Sequence, residues 1–209
     1  MIASHRSEKI IPDEILQKWQ LAVNTLAGLF QVPVALITRA HPKQLEFLVS
    51  SDSQGNPYQA GKREALNGGL FCETVMRDHR MLHIGNTLES QEWNQNLEVS
   101  YGMTSYLGIP LYWPDHSIFG TICILNQQPI DDSPLLFSLM HQFGDLVESE
   151  LKIMQESEDR KRYQKLLEGK MGELVEFNKE LLRKERRISE LKKRLETFEG
   201  QKQQSFLCI

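Results

Sequence analysis

The chain has no run near the ~20 apolar residues needed to cross a bilayer, and its first residues, MIASHRSEKIIPDE, lack the apolar core of a signal peptide. A cytoplasmic protein with no membrane partner is therefore expected. Cysteine is scarce: Cys72, Cys123 and Cys208 are three in number, without CxxC spacing, which suggests neither a disulfide framework nor a zinc site. Cys208 is the second residue from the end, whereas a prenylation signal needs the fourth. Basic excess is missing too. A net charge of -4 and a pI near 5.9 leave no basic stripe, so no nucleic-acid partner is expected. Proline is absent between Leu151 and Gln204, where only Gly169, Gly172 and Gly200 interrupt a stretch crowded with Glu, Lys and Arg.

What is present divides the 209 residues into a tail (1–12), a folded domain (13–150), a helical extension (151–204) and a short terminal tail (205–209). About 150 residues suffice to bury a core, roughly two thirds of the unfolded surface. Ile15, Leu16, Trp19, Val23, Leu26 and Phe30 line one face of a helix begun by Pro12 and Asp13. Val32 to Thr38 and Gln44 to Ser50 read as strands around the turn His41-Pro42-Lys43, and Ser51 to Gly69 reads as a loop. A short helix (Leu70 to Asp78) and a brief strand (Met81 to Ile84) lead into a variable segment, Gly85 to Tyr101, that carries Trp93.

The chain is organised around Gly102 to Asn126. Two apolar runs, Ser105 to Trp113 and Ile118 to Leu125, are joined by Pro-Asp-His-Ser, which predicts a hairpin buried on both faces at the centre of a sheet. After it, Ser133 as N-cap and Pro134 in the first helical position start another helix, with Leu135, Leu136, Leu139, Phe143, Leu146 and Val147 as its apolar face. No breaker separates this helix from the charged extension. One continuous helix is expected.

SYLGIPL, a turn and FGTICILN, preceded by FCETVMRDHRMLHIGNT and EWNQNLEV, resemble the central strand pair, helix, strand and variable loop of GAF domains, sensing modules of bacterial signalling proteins. The resemblance covers Asp13 to Leu151. It implies an α/β (α+β) fold: a central antiparallel sheet flanked by helices, with a helical dimer layer on one side, a ligand-pocket layer on the other and a long C-terminal helix. It also implies a regulatory module and not an enzyme, with no catalytic residue, and with Gly85 to Tyr101 as a lid, expected to be the most mobile part of the domain.

Strand alternation puts Thr121, Cys123 and Leu125 on one face of the second hairpin strand and Ile122 and Ile124 on the other. With the aliphatics against the terminal helices, Thr121 and Cys123 face the pocket. Together with Cys72, Trp93 and Tyr106 they are the candidate ligand-binding residues, offering thiol, hydroxyl and aromatic contacts to a small molecule; the alternative is that all five are core. No cofactor and no metal is specified. Cys72 does not match the context of bilin-bearing family members, and Glu73 beside it opposes a reactive thiolate, with Arg77 one turn on. Asn126 matches the first position of the family's cyclic-nucleotide signature, but Gln127 stands where a lysine is required. His79 and His83 read as surface histidines or, less simply, haem ligands, and His116 as a turn residue.

A seven-residue series, Leu139, Leu146, Ile153, Arg160, Leu167, Leu174, Leu181, Ile188 and Leu195, runs through the extension, and Met171, Asn178, Glu185 and Lys192 follow it by four. It predicts a homodimer through the terminal helices and a coiled coil, with Asn178 fixing register; a solitary helix held by Glu-to-Lys pairs is the alternative. About 50 helical residues would make a rod roughly 70 Å long. In similar signalling proteins such a helix leads to an output kinase or cyclase domain, whose motifs are absent from this chain; the output domain is expected elsewhere, or in a separate partner. Two rival readings are a ligand-free structural dimerisation module and a thiol-based redox sensor or enzyme using Cys72 and Cys123.

Overall fold

The computed structural model describes residues 9–66, 68–130 and 132–206, the last ten of these by backbone alone. Of the two tails, residues 1–8 and 207–209, with Cys208, lie outside the described residues, as do Asn67 and Asp131, while Ser205 and Phe206 are helical. The elements are α1 (Asp13–Phe30), β1 (Val34–Ala40), β2 (Gln44–Ser50), β3 (Arg63–Ala65), α2 (Phe71–Asp78), β4 (Leu82–Ile84), α3 (Leu97–Ser100), β5 (Ser105–Tyr112), β6 (Ile118–Asn126) and α4 (Pro134–Phe206). The chain falls into two units, 1–155 and 156–209.

The six strands form one antiparallel sheet in the order β3-β2-β1-β6-β5-β4. The apolar β6 lies inside it, paired to β1 and to β5, so each of its faces meets a covering layer. The hairpin turns at Pro114 to Ser117, where His116 adopts φ 62° and its N–H donates to the Trp113 carbonyl at 2.8 Å. β3, three residues in the segment expected to be only loop, pairs with β2 at the sheet edge.

A register shift on β6 skips Phe119 between Ile118, opposite Tyr112, and Gly120, opposite Leu111. This bulge turns Phe119 toward the helices, where its ring meets Trp19 and Trp113 edge-on at 5.8 and 5.1 Å. Gly120 is required there, since a Cβ would stand 1.9 Å from the Thr38 carbonyl oxygen.

One core lies between the sheet and the terminal helices. Ile37, Leu107, Ile109, Ile122 and Ile124 pack there against Trp19, Val23 and Leu26 of α1 and Leu136, Met140, Val147 and Leu151 of α4. Ser133 caps α4 as expected, its Oγ accepting from the Leu136 N–H at 3.4 Å. The face of α4 expected from the sequence is corrected: Leu135 and Leu146 point to solvent, Leu139 is half-buried, and the sheet is met by Leu136, Met140, Gly144, Val147, Leu151 and Met154. Gly144 explains the rotation. It lets the helix approach so closely that a Cβ would stand 2.7 Å from Ile109 Cδ1. α4 runs unbroken to Phe206.

Candidate functional site

A second core fills the opposite face, between the sheet and α2 with its flanking segments. β6 presents Thr121, Cys123 and Leu125 there, and Ile122 and Ile124 to the helices. Four of the five candidate residues form one contact cluster. Cys72 Sγ lies 3.8 Å from Cys123 Sγ, 3.3 Å from Thr121 Oγ1 and 3.4 Å from the Tyr106 hydroxyl. Trp93 joins through Phe71, whose ring stands 5.6 Å from it edge-on and 5.0 Å from the Tyr106 ring.

Proton positions within the cluster are mutually consistent. The Thr121 and Tyr106 hydroxyls both donate to Cys72 Sγ. Thr121 Oγ1 is then left to accept from Thr38 Oγ1 at 2.8 Å, and the Thr121 N–H donates back to Thr38 Oγ1 at 3.0 Å. Hydrogen bonds from Cys123, Thr121 and Tyr106 draw the Cys72 thiol below the usual range against the opposing effect of burial. Burial pushes the Cys123 thiol and the Tyr106 hydroxyl well above theirs. Tyr106 lies across Gly108, the residue opposite Cys123, where a Cβ would stand 2.1 Å from its hydroxyl.

Two members of this layer were not anticipated from the sequence. Glu98, on the one-turn helix α3, is 2 % exposed. Its two carboxyl oxygens accept from the Phe71 N–H at the start of α2, at 3.2 and 3.1 Å. Burial holds that carboxyl well above the ordinary range, and a charge on Cys72 would raise it further. Asn96 Nδ2 also donates to the Gly69 carbonyl, so α3 and α2 are clasped by two side chains and the Trp93 ring. Tyr58 packs edge-on against Phe47 and Tyr101, with its buried hydroxyl lacking a hydrogen-bond partner among the described residues. A glutamate in the short LEVSYG stretch, and a tyrosine in a glycine-rich loop, give no sequence signal of burial.

Glu73 has a different role from the one expected. Its carboxylate gathers the N–H groups of Gly68, Gly69 and Leu70 at 3.1 to 3.2 Å, capping α2. His79 stacks on Tyr112, and His83 bridges the Ile130 carbonyl and Asp132 at 3.0 and 2.7 Å. Elsewhere, a surface groove of about 780 Å³ opens beside the β1–β2 turn, lined in part by Arg39, His41, Lys43, Glu46 and Arg63, and shares no residue with the cluster.

An antiparallel sheet with its terminal helices on one face, and a short helix with clasped connecting segments enclosing polar groups on the other, is the architecture of a regulatory sensor domain. The chain belongs to the GAF domain family, whose model matches residues 14–151. GAF domains are sensor domains of signalling proteins. Among solved structures, the GAF domain of an Acinetobacter phosphoenolpyruvate-protein phosphotransferase is 16% identical with a TM-score of 0.55, over 74% of this chain and 90% of that one. The blue-light absorbing form of the PixJ GAF domain of Thermosynechococcus elongatus is 13% identical with a TM-score of 0.54, over 74% and 98%. The chromophore-binding domain of the R. palustris bacteriophytochrome RpBphP3 is 9% identical with a TM-score of 0.56, over 68% of this chain and 57% of that one. At these identities the likeness is one of fold. A search of curated proteins returned no match.

Proposed function

We propose that the chain is the sensing part of a regulatory protein of the bacterial cytoplasm, acting without catalysis: it pairs with a second copy and passes the state of its pocket layer along α4 to an output domain or a separate partner. One observation carries this reading, an unpartnered apolar stripe on the outside of the two terminal helices. Leu21 and Leu29 of α1 and Leu146 and Ile153 of α4 are 69, 56, 44 and 60 % exposed. The Lys18 ammonium meets the Glu150 carboxylate at 2.7 Å, so the helices lie side by side. Leu21 follows Lys18 by three residues and Leu146 precedes Glu150 by four, which brings the two leucines to the same side of that ion pair. A second copy laid on this surface would remove both from water.

The series containing Leu146 and Ile153 continues in sequence through Leu167, Leu174, Leu181, Ile188 and Leu195, all exposed in the single chain. A coiled coil would bury them, with Asn178 fixing register. In this reading the cluster of Cys72, Tyr106, Thr121 and Cys123, with Trp93 over it, receives a small molecule. The chromophore-binding relative supports the idea that the fold can enclose one. Because these side chains already contact one another, a structural dimerisation module is the competing reading.

Native mass spectrometry of the protein purified without added ligand tests both parts. A dimer carrying a discrete extra mass is the expected result. A dimer at its bare mass favours the structural module, and a monomer overturns the reading.

A further inference from the structure

The two thiols at the heart of the pocket layer stand on different elements, Cys72 on α2 and Cys123 on the central strand β6. Their sulfurs are 3.8 Å apart, and a disulfide needs about 2.0 Å, with usual Cα separations of roughly 4.4 to 6.8 Å. Closing that gap takes a movement of α2 toward the sheet or a rotation of the two side chains about χ1. Two hydroxyl donors, those of Thr121 and Tyr106, converge on one sulfur, that of Cys72, with the Cys123 sulfur beside it. This is the arrangement that stabilises a thiolate, the form that reacts with peroxides. The adjacent Glu73 carboxylate does not oppose it strongly, because it is engaged by three backbone N–H groups at the start of α2.

We infer that Cys72 and Cys123 are a modification site, a dithiol that a small hydroperoxide converts to an intramolecular disulfide tying α2 to β6. Chemically, the Cys72 thiolate attacks one peroxide oxygen, the O–O bond breaks, and the departing oxygen takes a proton to leave as water or an alcohol. The sulfur is then a sulfenic acid. The Cys123 sulfur attacks it, the S–O bond breaks, and the departing hydroxide takes the Cys123 proton as a second water. Two thiols have lost two hydrogens and one peroxide has been reduced. Both sulfurs are buried, so entry follows local opening of the segment clasped to α2 by Glu98 and Asn96. The site rests on the packing of these two sulfurs and not on ligand binding or pairing, so its failure would leave the proposed function standing.

The test treats the reduced protein with hydrogen peroxide in native buffer, alkylates the remaining thiols, digests without reductant and analyses the peptides by mass spectrometry. The expected result is a cross-linked pair of peptides holding Cys72 and Cys123, released by dithiothreitol. Cys123→Ser should abolish it and leave added oxygen on Cys72, which shows that Cys72 reacts with peroxide without Cys123. Added oxygen on Cys72 with Cys123 still free in the native sequence would overturn the inference. So would disulfides made only through Cys208, or two unmodified thiols under conditions in which the urea-unfolded protein cross-links.

Discussion

On its helical face the sheet presents Ile37, Leu107, Ile122 and Ile124 to Trp19, Val23 and Val147, whereas on the opposite face the same strands present Thr38, Tyr106, Thr121 and Cys123 to Cys72 and Phe71. Alternation along each of β1, β5 and β6 supplies both sets. The helical face holds apolar side chains whose contribution scales with the area they bury. Across the sheet, buried hydroxyls, thiols and a carboxyl depend on their partners being present and aligned. The first arrangement suits a fixed foundation. The second is held by hydrogen bonds that a change in the protonation of Cys72 or Glu98 would alter.

The difference is open to attack from either side. Trp19→Ala removes the largest fully buried side chain of the helical face and should cost about 3–5 kcal/mol, read as a lowered urea midpoint at unchanged slope. A loss under about 1 kcal/mol would mean that this face is not the foundation.

Glu98 gives the next effect. Its carboxyl is raised in the folded protein, so stability is fully present below the unfolded value of about 4.3 and is lost as pH rises through the folded value. Each unit of separation corresponds to about 1.4 kcal/mol. Glu98→Gln carries no such titration, and its stability relative to the native protein should therefore improve steadily from acid toward neutral pH. Urea unfolding of both proteins across that range measures it; a difference that stays constant with pH would contradict the burial argument.

Tyr106→Phe should be the mildest, about 0.5–1.5 kcal/mol, because it deletes a single hydrogen bond to sulfur and keeps the ring contact with Phe71. It should also slow alkylation of Cys72 during local opening, since one thiolate-stabilising donor is gone.

How far the sequence discloses this contrast depends on the kind of signal each element leaves. α1, β2 and the β5–β6 hairpin have strong periodicity or continuous apolar runs, and the structure puts them within a residue or two of the expected limits. The exposure of Leu135 was not legible, and Leu146 fell both on the expected inner face and in the seven-residue series. α4 carries two apolar stripes, and the one that meets the sheet includes Gly144, which adds nothing to a hydrophobic pattern but permits the close approach to Ile109. Nor could alternation alone place Phe119, because the bulge before Gly120 reverses its side. Three residues of β3 are too few to show a period. In the pocket layer, Cys72, Tyr106, Thr121 and Cys123 were legible as neighbours once β6 was assigned. Glu98 and Tyr58 reach it from segments whose burial is set by tertiary contacts.

Sedimentation equilibrium of the native protein beside Leu146→Glu and Ile153→Glu probes pairing through the apolar stripe on α1 and α4. Both positions are exposed in the single chain, so neither change should disturb the domain's own core. The account predicts a native dimer that both substitutions shift to monomer with the near-ultraviolet circular dichroism of the domain retained. A native monomer, or variants that remain as dimeric as the native protein, would contradict it.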